Sequence, residues 1–185
     1  MAAPASCRFS AHRQGAGIAD ARQTPLRAGA VAGAHQGGLA RLGRNRGVLL
    51  VQLPPGAAID EPRLAYFLAR LPSAWKVAVE FRNPTWNNEA VFGLLEQHGA
   101  AYCVMSGARL PCILRATAPF VYVRLHGPDP QFLYAGSYSD DDLRWWSDRI
   151  REWSAGGRDV FVYFNNDGEG NAVRNAMTLA RLVGV

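Results

Sequence analysis

No apolar run in the chain approaches the roughly 20 residues of a membrane-spanning helix. The longest, Gly47 to Leu53, is strand-sized and broken by Gln52, so no membrane partner is expected. Cysteine is scarce. Cys7, Cys103 and Cys112 are an odd number, form no C-x-x-C pair and match no zinc spacing. Cys103 alternates with Ala101 in an apolar run and reads as a small core residue. Nothing calls for an oxidising compartment. The N-terminus lacks an apolar signal core. It is Arg-rich and acid-poor, but Gly15, Gly17, Gly29, Gly33, Gly37 and Gly38 argue against a transit-type amphipathic helix. The expected location is the cytoplasm. Metal-binding patterns are equally thin, with no H-x-x-E-H and no Asp-rich loop. Glu80, His126 and Asp167 are the only ligands on offer, so no cofactor is expected and a divalent metal is a minor alternative.

The net charge of +5 invites a nucleic-acid reading, but it is unevenly spread. Residues 1–46 hold seven Arg and one acid, Asp20, whereas the remainder holds 13 basic residues and 14 acids. The excess therefore sits in a Gly/Ala/Arg-rich lead segment and not on a patterned face, which argues against nucleic acid as a partner. The composition breaks near Gly47. Residues 1–46 carry no sustained period of 2.0 or 3.6 and read as a non-domain lead; residues 47–185 read as a folded domain.

From Gly47 onward, strand-like and helical patterns alternate. VLLVQLPP (48–55) is stopped by two prolines. Asp60-Glu61-Pro62 opens a helix with the stripe Leu64, Phe67, Leu68 and Leu71. KVAVEF (76–81) is a second strand, NPTW (83–86) a turn, and 88–98 a helix carrying Val91, Leu94 and Leu95. AYCVMS (101–106) is a third strand, and 107–119 is irregular. VYVRLHG (121–127) is a fourth strand. Ser139-Asp140-Asp141-Asp142 caps a helix that runs to about Ala155 and carries Trp145, Trp146 and Trp153. DVFVYFNN (159–166) is a fifth strand. Gly168 and Gly170 lead into a last helix with Val173, Met177, Leu179 and Leu182 at apolar positions. Five strands alternating with helices predict a parallel α/β sheet, either doubly wound or a barrel.

Strand side chains alternate between two faces, which separates these options. Val77, Val79 and Phe81 share one face of their strand, as do Val121, Val123 and Leu125, and Val160, Val162 and Phe164. The opposite faces turn polar towards the carboxyl ends: Glu80 and Arg82, Arg124 and His126, Tyr163 and Asn165, with Gln52 on the first strand. A sheet buried on both sides should be apolar on both. A lumen with a polar carboxyl mouth is what a barrel requires. The fold class expected is thus a TIM-type parallel (β/α) barrel, with about five of its eight strands present.

At that mouth Glu80 is a candidate general acid or base, and His126 a candidate proton shuttle by its ordinary pKa. Arg82 and Arg124 are suited to clamp a carboxylate or phosphate, and Gln52, Tyr163, Asn165 and Asn166 to bind polar groups. Gly127, Gly168 and Gly170 allow close approach of backbone amides to an anion, and the last helix begins beside them. Each has a plainer reading: a structural ion pair for Glu80, a satisfied buried histidine for His126, and a simple turn for Asn166-Asp167-Gly168.

VAVEFRNPTW, VYVRLHG, the Tyr134-x-Gly136-x-Tyr138 spacing and DVFVYFNND followed by Ala172-x-x-Asn175-Ala176 resemble the YecE-like family, domain of unknown function family seventy-two. The resemblance covers nearly all of 47–185. It implies a TIM-type barrel, names no reaction, and adds Tyr134, Gly136, Tyr138, Asp167 and Asn175 to the site residues. The family's domain begins with a Gly-Thr-Ser-Gly-Trp-type strand and about half a barrel that this chain lacks. Only Ser6-Cys7-Arg8-Phe9 and His12-Arg13 look like a remnant, so a truncated or frame-shifted product is expected, with open sheet edges prone to self-association. The expected function is binding of a small anionic metabolite, such as a phosphorylated one, with acid–base chemistry by Glu80 and His126. The alternatives are a non-catalytic binding barrel and a non-functional fragment.

Overall fold

Residues 47–185 are described by a computed structural model of the chain. Five strands form one parallel sheet in chain order: β1 (Val48–Leu53), β2 (Lys76–Phe81), β3 (Ala101–Ser106), β4 (Phe120–Leu125) and β5 (Asp159–Phe164). Helices α1 (Glu61–Leu68), α2 (Glu89–Gln97), α3 (Asp140–Ala155) and α4 (Asn171–Val183) alternate with them, except between β3 and β4, where 107–119 is irregular. A doubly wound sheet reverses its strand order at a switch point, and this one does not. The sheet is an arc of a β/α-barrel.

The two faces carry separate cores. Val77, Val79, Phe81, Val104, Val121, Val123 and Leu125 meet the helices in the outer one. Ala78, Ala101, Cys103, Met105, Phe120 and Tyr122 fill the inner one. The arc is braced across its hollow side. Lys76 of β2 donates to Asp159 of β5 at 2.6 Å, beneath the rings of Phe120 and Phe161. Arg124 of β4 donates to Gln52 of β1 at 3.1 Å. Strands three positions apart in a flat sheet stand about 14 Å apart, beyond the combined reach of Lys and Asp, so these bonds require the curl.

The helices start where side chains supply the missing acceptors. Asp60 accepts from Arg63 N, Asn88 from Val91 N, and Ser139 forms a reciprocal capping box with Asp142. Trp145 and Trp146 of α3 are buried and meet edge-on, so this face covers the barrel and is not a free patch. Of the apolar positions on α4, Leu179 is buried and Leu182 packs against the core, whereas Val173 and Met177 are 65% and 60% exposed, because the inward stripe runs through Ala172, Asn175 and Leu179, about a quarter turn away. No helix among the described residues is long and apolar enough to cross a membrane.

Candidate functional site

Parallel register places Gln52 of β1 level with Glu80 of β2, and Arg124 of β4 level with Tyr163 of β5. Arg82, His126 and Asn165 follow directly after their strands. The alternation read from the sequence therefore does gather these side chains at the carboxyl mouth of the arc.

Glu80 is the centre of the group and is fully buried. Its Oε1 accepts from Arg82 Nε, and its Oε2 accepts from Arg124 Nη1 at 2.6 Å. Cys103 Sγ lies 3.7 Å from the same Oε2. Arg124 also donates from Nε to Asn165 Oδ1 at 3.1 Å and from Nη1 to Gln52 Oε1 at 3.1 Å. The arginine side chains are only 6% and 14% exposed. Two guanidiniums on one carboxylate leave the cluster with an excess positive charge. No described residue accepts from Arg82 Nη1 or Arg124 Nη2.

His126 is fully buried beside them, its Nε2 3.2 Å from Arg82 Nη2. A guanidinium has donors only, so Nε2 accepts and the ring proton sits on Nδ1. That Nδ1 has no partner among the described residues. Burial, and then the charges of Arg82 and Arg124, push the imidazole pKa from 6.5 down to about 3. A lowered pKa favours the neutral imidazole, the form in which Nε2 accepts from Arg82. The consequence for stability has a definite sign. Between about 6.5 and about 3 the unfolded chain binds a proton that the folded chain refuses. The contribution of this group is therefore present above 6.5 and is lost as pH falls, by up to about 1.4 kcal/mol per pH unit. Urea midpoints followed from neutral to acid pH should fall less steeply in His126→Asn than in the parent; equal slopes would contradict the assignment.

Tyr138 and Asn166 were expected to contact substrate, but both are buried in a network that fixes the loop after β4. Asn175 Oδ1 accepts from Tyr138 N at 3.1 Å and from Asn166 Nδ2 at 2.8 Å, and Asn175 Nδ2 donates to Ser137 Oγ and Tyr138 O. Asn166 Nδ2 also reaches Gly136 O at 2.9 Å. Burial pushes the Tyr138 phenol up, and its oxygen accepts from Gly127 N at 3.1 Å. Their side chains bond to Asn175 and to the loop backbone. Their sequence signal was real: an asparagine on the apolar stripe of α4 marks a buried polar contact.

Tyr134 reaches the site differently. Its ring meets His126 edge-on at 5.4 Å, and its N–H donates to His126 O at 2.6 Å. Asp167, Gly168 and Gly170 lie exposed in the turn before α4, whose N-cap, Gly170, offers no side-chain acceptor. Asn165, two residues before Asp167, accepts from Arg124. No group of three or more His, Cys, Asp or Glu capable of holding a metal occurs among the described residues. Cys103 reads from the sequence as a small core residue, but in the structure it touches Glu80, and Tyr122 backs Tyr163 with ring centroids 4.9 Å apart. Only the cross-strand register reveals either role.

A curled parallel sheet, helices outside and polar side chains at the carboxyl strand ends, defines a β/α-barrel protein. The model of the family "Protein of unknown function DUF72" matches residues 5–185, and the chain belongs to that family. It is similar to the UPF0759 protein YunF of Bacillus subtilis (strain 168), 25% identical over 167 residues, which are 75% of this chain and 58% of YunF. A DUF72 family protein of Thermotoga maritima has a similar structure, with TM-score 0.65 and 24% identity, covering 75% of this chain and 58% of that one. One from Enterococcus faecalis V583 matches with TM-score 0.72 and 17% identity, over 86% and 67% of the two chains. The chain thus spans about 58% of the curated relative's length. The structural likenesses bear on the fold, and they agree with the barrel arc.

Proposed function

We propose that the carboxyl mouth of the arc binds a small anionic metabolite through Arg82 and Arg124. The observation that carries this reading is the pair of guanidiniums sharing one buried carboxylate, each with an N–H group that no described residue accepts from. Paired guanidinium donors suit carboxylate and phosphate oxygens. Glu80 holds the arginines in place while the site is empty, which is the ion-pair reading of that residue. An anion on the spare N–H edges sits beside this carboxylate, and any acid–base role of Glu80 would act on that ligand. Without that step, the same geometry serves a binding barrel.

Calorimetric titration with inorganic phosphate tests the proposal. Arg124→Lys keeps the charge but loses the planar fork and the bonds to Gln52 and Asn165. It should weaken phosphate binding by about tenfold, or about 1.4 kcal/mol. An unchanged affinity in Arg124→Lys, or no binding to the parent chain, would count against it.

A further inference from the structure

We infer that the anion taken by this site carries a planar unsaturated ring, which stacks on Tyr163; this rests on the anion-binding reading above. Tyr163 stands level with Arg124 across the β4–β5 ladder, on the lumenal face. One face of its ring is backed by Tyr122, with centroids 4.9 Å apart and planes 27° apart. The backing ring is buried, yet Tyr163 itself is 45% exposed. A rigid aromatic shelf beside a guanidinium with spare donors matches a ligand that has both a flat ring and an anionic group.

The second arginine has a comparable neighbour. Arg82 contacts His126, and the ring of Tyr134 meets that histidine edge-on at 5.4 Å. Tyr134 is 48% exposed and takes φ 68°, a left-handed conformation that non-glycine residues rarely adopt. The bond from Tyr134 N to His126 O, 2.6 Å long, holds it there. Strained backbone that presents an exposed ring at a charged cluster is a feature of ligand sites. Bare phosphate would use the arginine donors and leave both rings in water. A ring-bearing phosphate or carboxylate uses the donors and the shelf together, adding offset stacking to the charge-assisted bonds.

The experiment compares inorganic phosphate, phenyl phosphate, cyclohexyl phosphate and benzoate by calorimetric titration of the full chain, with Tyr163→Leu and Tyr134→Leu alongside. Phenyl phosphate should bind about tenfold tighter than inorganic phosphate, and cyclohexyl phosphate should recover little of that gain. Tyr163→Leu should remove most of the phenyl-over-inorganic ratio, with a urea midpoint near the parent's showing that the variant is folded. Tighter binding of benzoate than of phenyl phosphate would keep the ring and assign the head group as a carboxylate. Equal affinity for inorganic and phenyl phosphate would overturn the ring inference and leave anion binding intact. So would a Tyr163→Leu variant that weakens both alike. Binding of none of the four would overturn both.

Discussion

Glu80→Gln should destabilise the protein by about 3–5 kcal/mol, measured by urea unfolding at neutral pH. The side chain keeps its shape, so the loss is electrostatic. Arg82 and Arg124 converge on this one carboxylate, and neither has another anionic partner among the described residues. Removing the charge leaves two guanidiniums close together and largely shielded from water. Losing one member of a buried ion pair is costly because the remaining charge is stranded; here two are. Adding Arg124→Gln to Glu80→Gln should recover part of the loss, since the double variant strands one charge fewer. The coupling between the two sites should then be about 1–3 kcal/mol. If Glu80→Gln costs less than about 0.5 kcal/mol, the range of an ordinary surface change, the cluster is not the buried unit that the geometry describes.

Gly127→Ala should cost about 3 kcal/mol or more, by a different route. Gly127 has φ 101°, and a Cβ there would lie 2.2 Å from the carbonyl oxygen of Ala135. The obstacle is backbone, so no rotamer change relieves it. The loop from Gly127 to Gly136 must move as a piece, and it carries Tyr134 over His126. The variant should therefore also lose anion affinity and expose His126, whose titration should move up from about 3 towards its ordinary 6.5. A stability loss under about 1 kcal/mol, with His126 still refusing a proton, would show that the loop is not locked by this contact. The residue was singled out in the sequence for letting amides approach an anion. In the structure its use is to let two pieces of loop pass each other.

Much of the fold was legible because each strand carries its own two-residue alternation. Val77, Val79 and Phe81 announce a helix-covered face, and Glu80 and Arg82 a polar lumen, without reference to any other strand. The same alternation correctly placed Gln52, Arg124 and Tyr163. It fails where a side chain's role depends on another element. Tyr138 and Asn166 are polar residues near the mouth, and nothing local says that Asn175, on a helix that follows, turns both into struts. His126 illustrates the limit for electrostatics. An isolated histidine titrates near neutrality, but here burial, Arg82 beyond the end of β2 and Arg124 two residues earlier on its own strand push its pKa down. Val173 and Met177 show the limit for helices. In a short amphipathic helix with many small residues, an error of one position in the phase of the stripe exchanges inside for outside.

We propose Arg82 and Arg124 as a single anion clamp. Nitrogen–proton NMR of the arginine Nε–H groups during titration with inorganic phosphate tests it directly. Both groups are held in fixed hydrogen bonds, Arg82 Nε to Glu80 and Arg124 Nε to Asn165, so both should give observable signals. With a single clamp the two signals shift together and saturate at one common phosphate concentration. Signals that stay in place while phosphate binds elsewhere, or that move at clearly different concentrations, would contradict it.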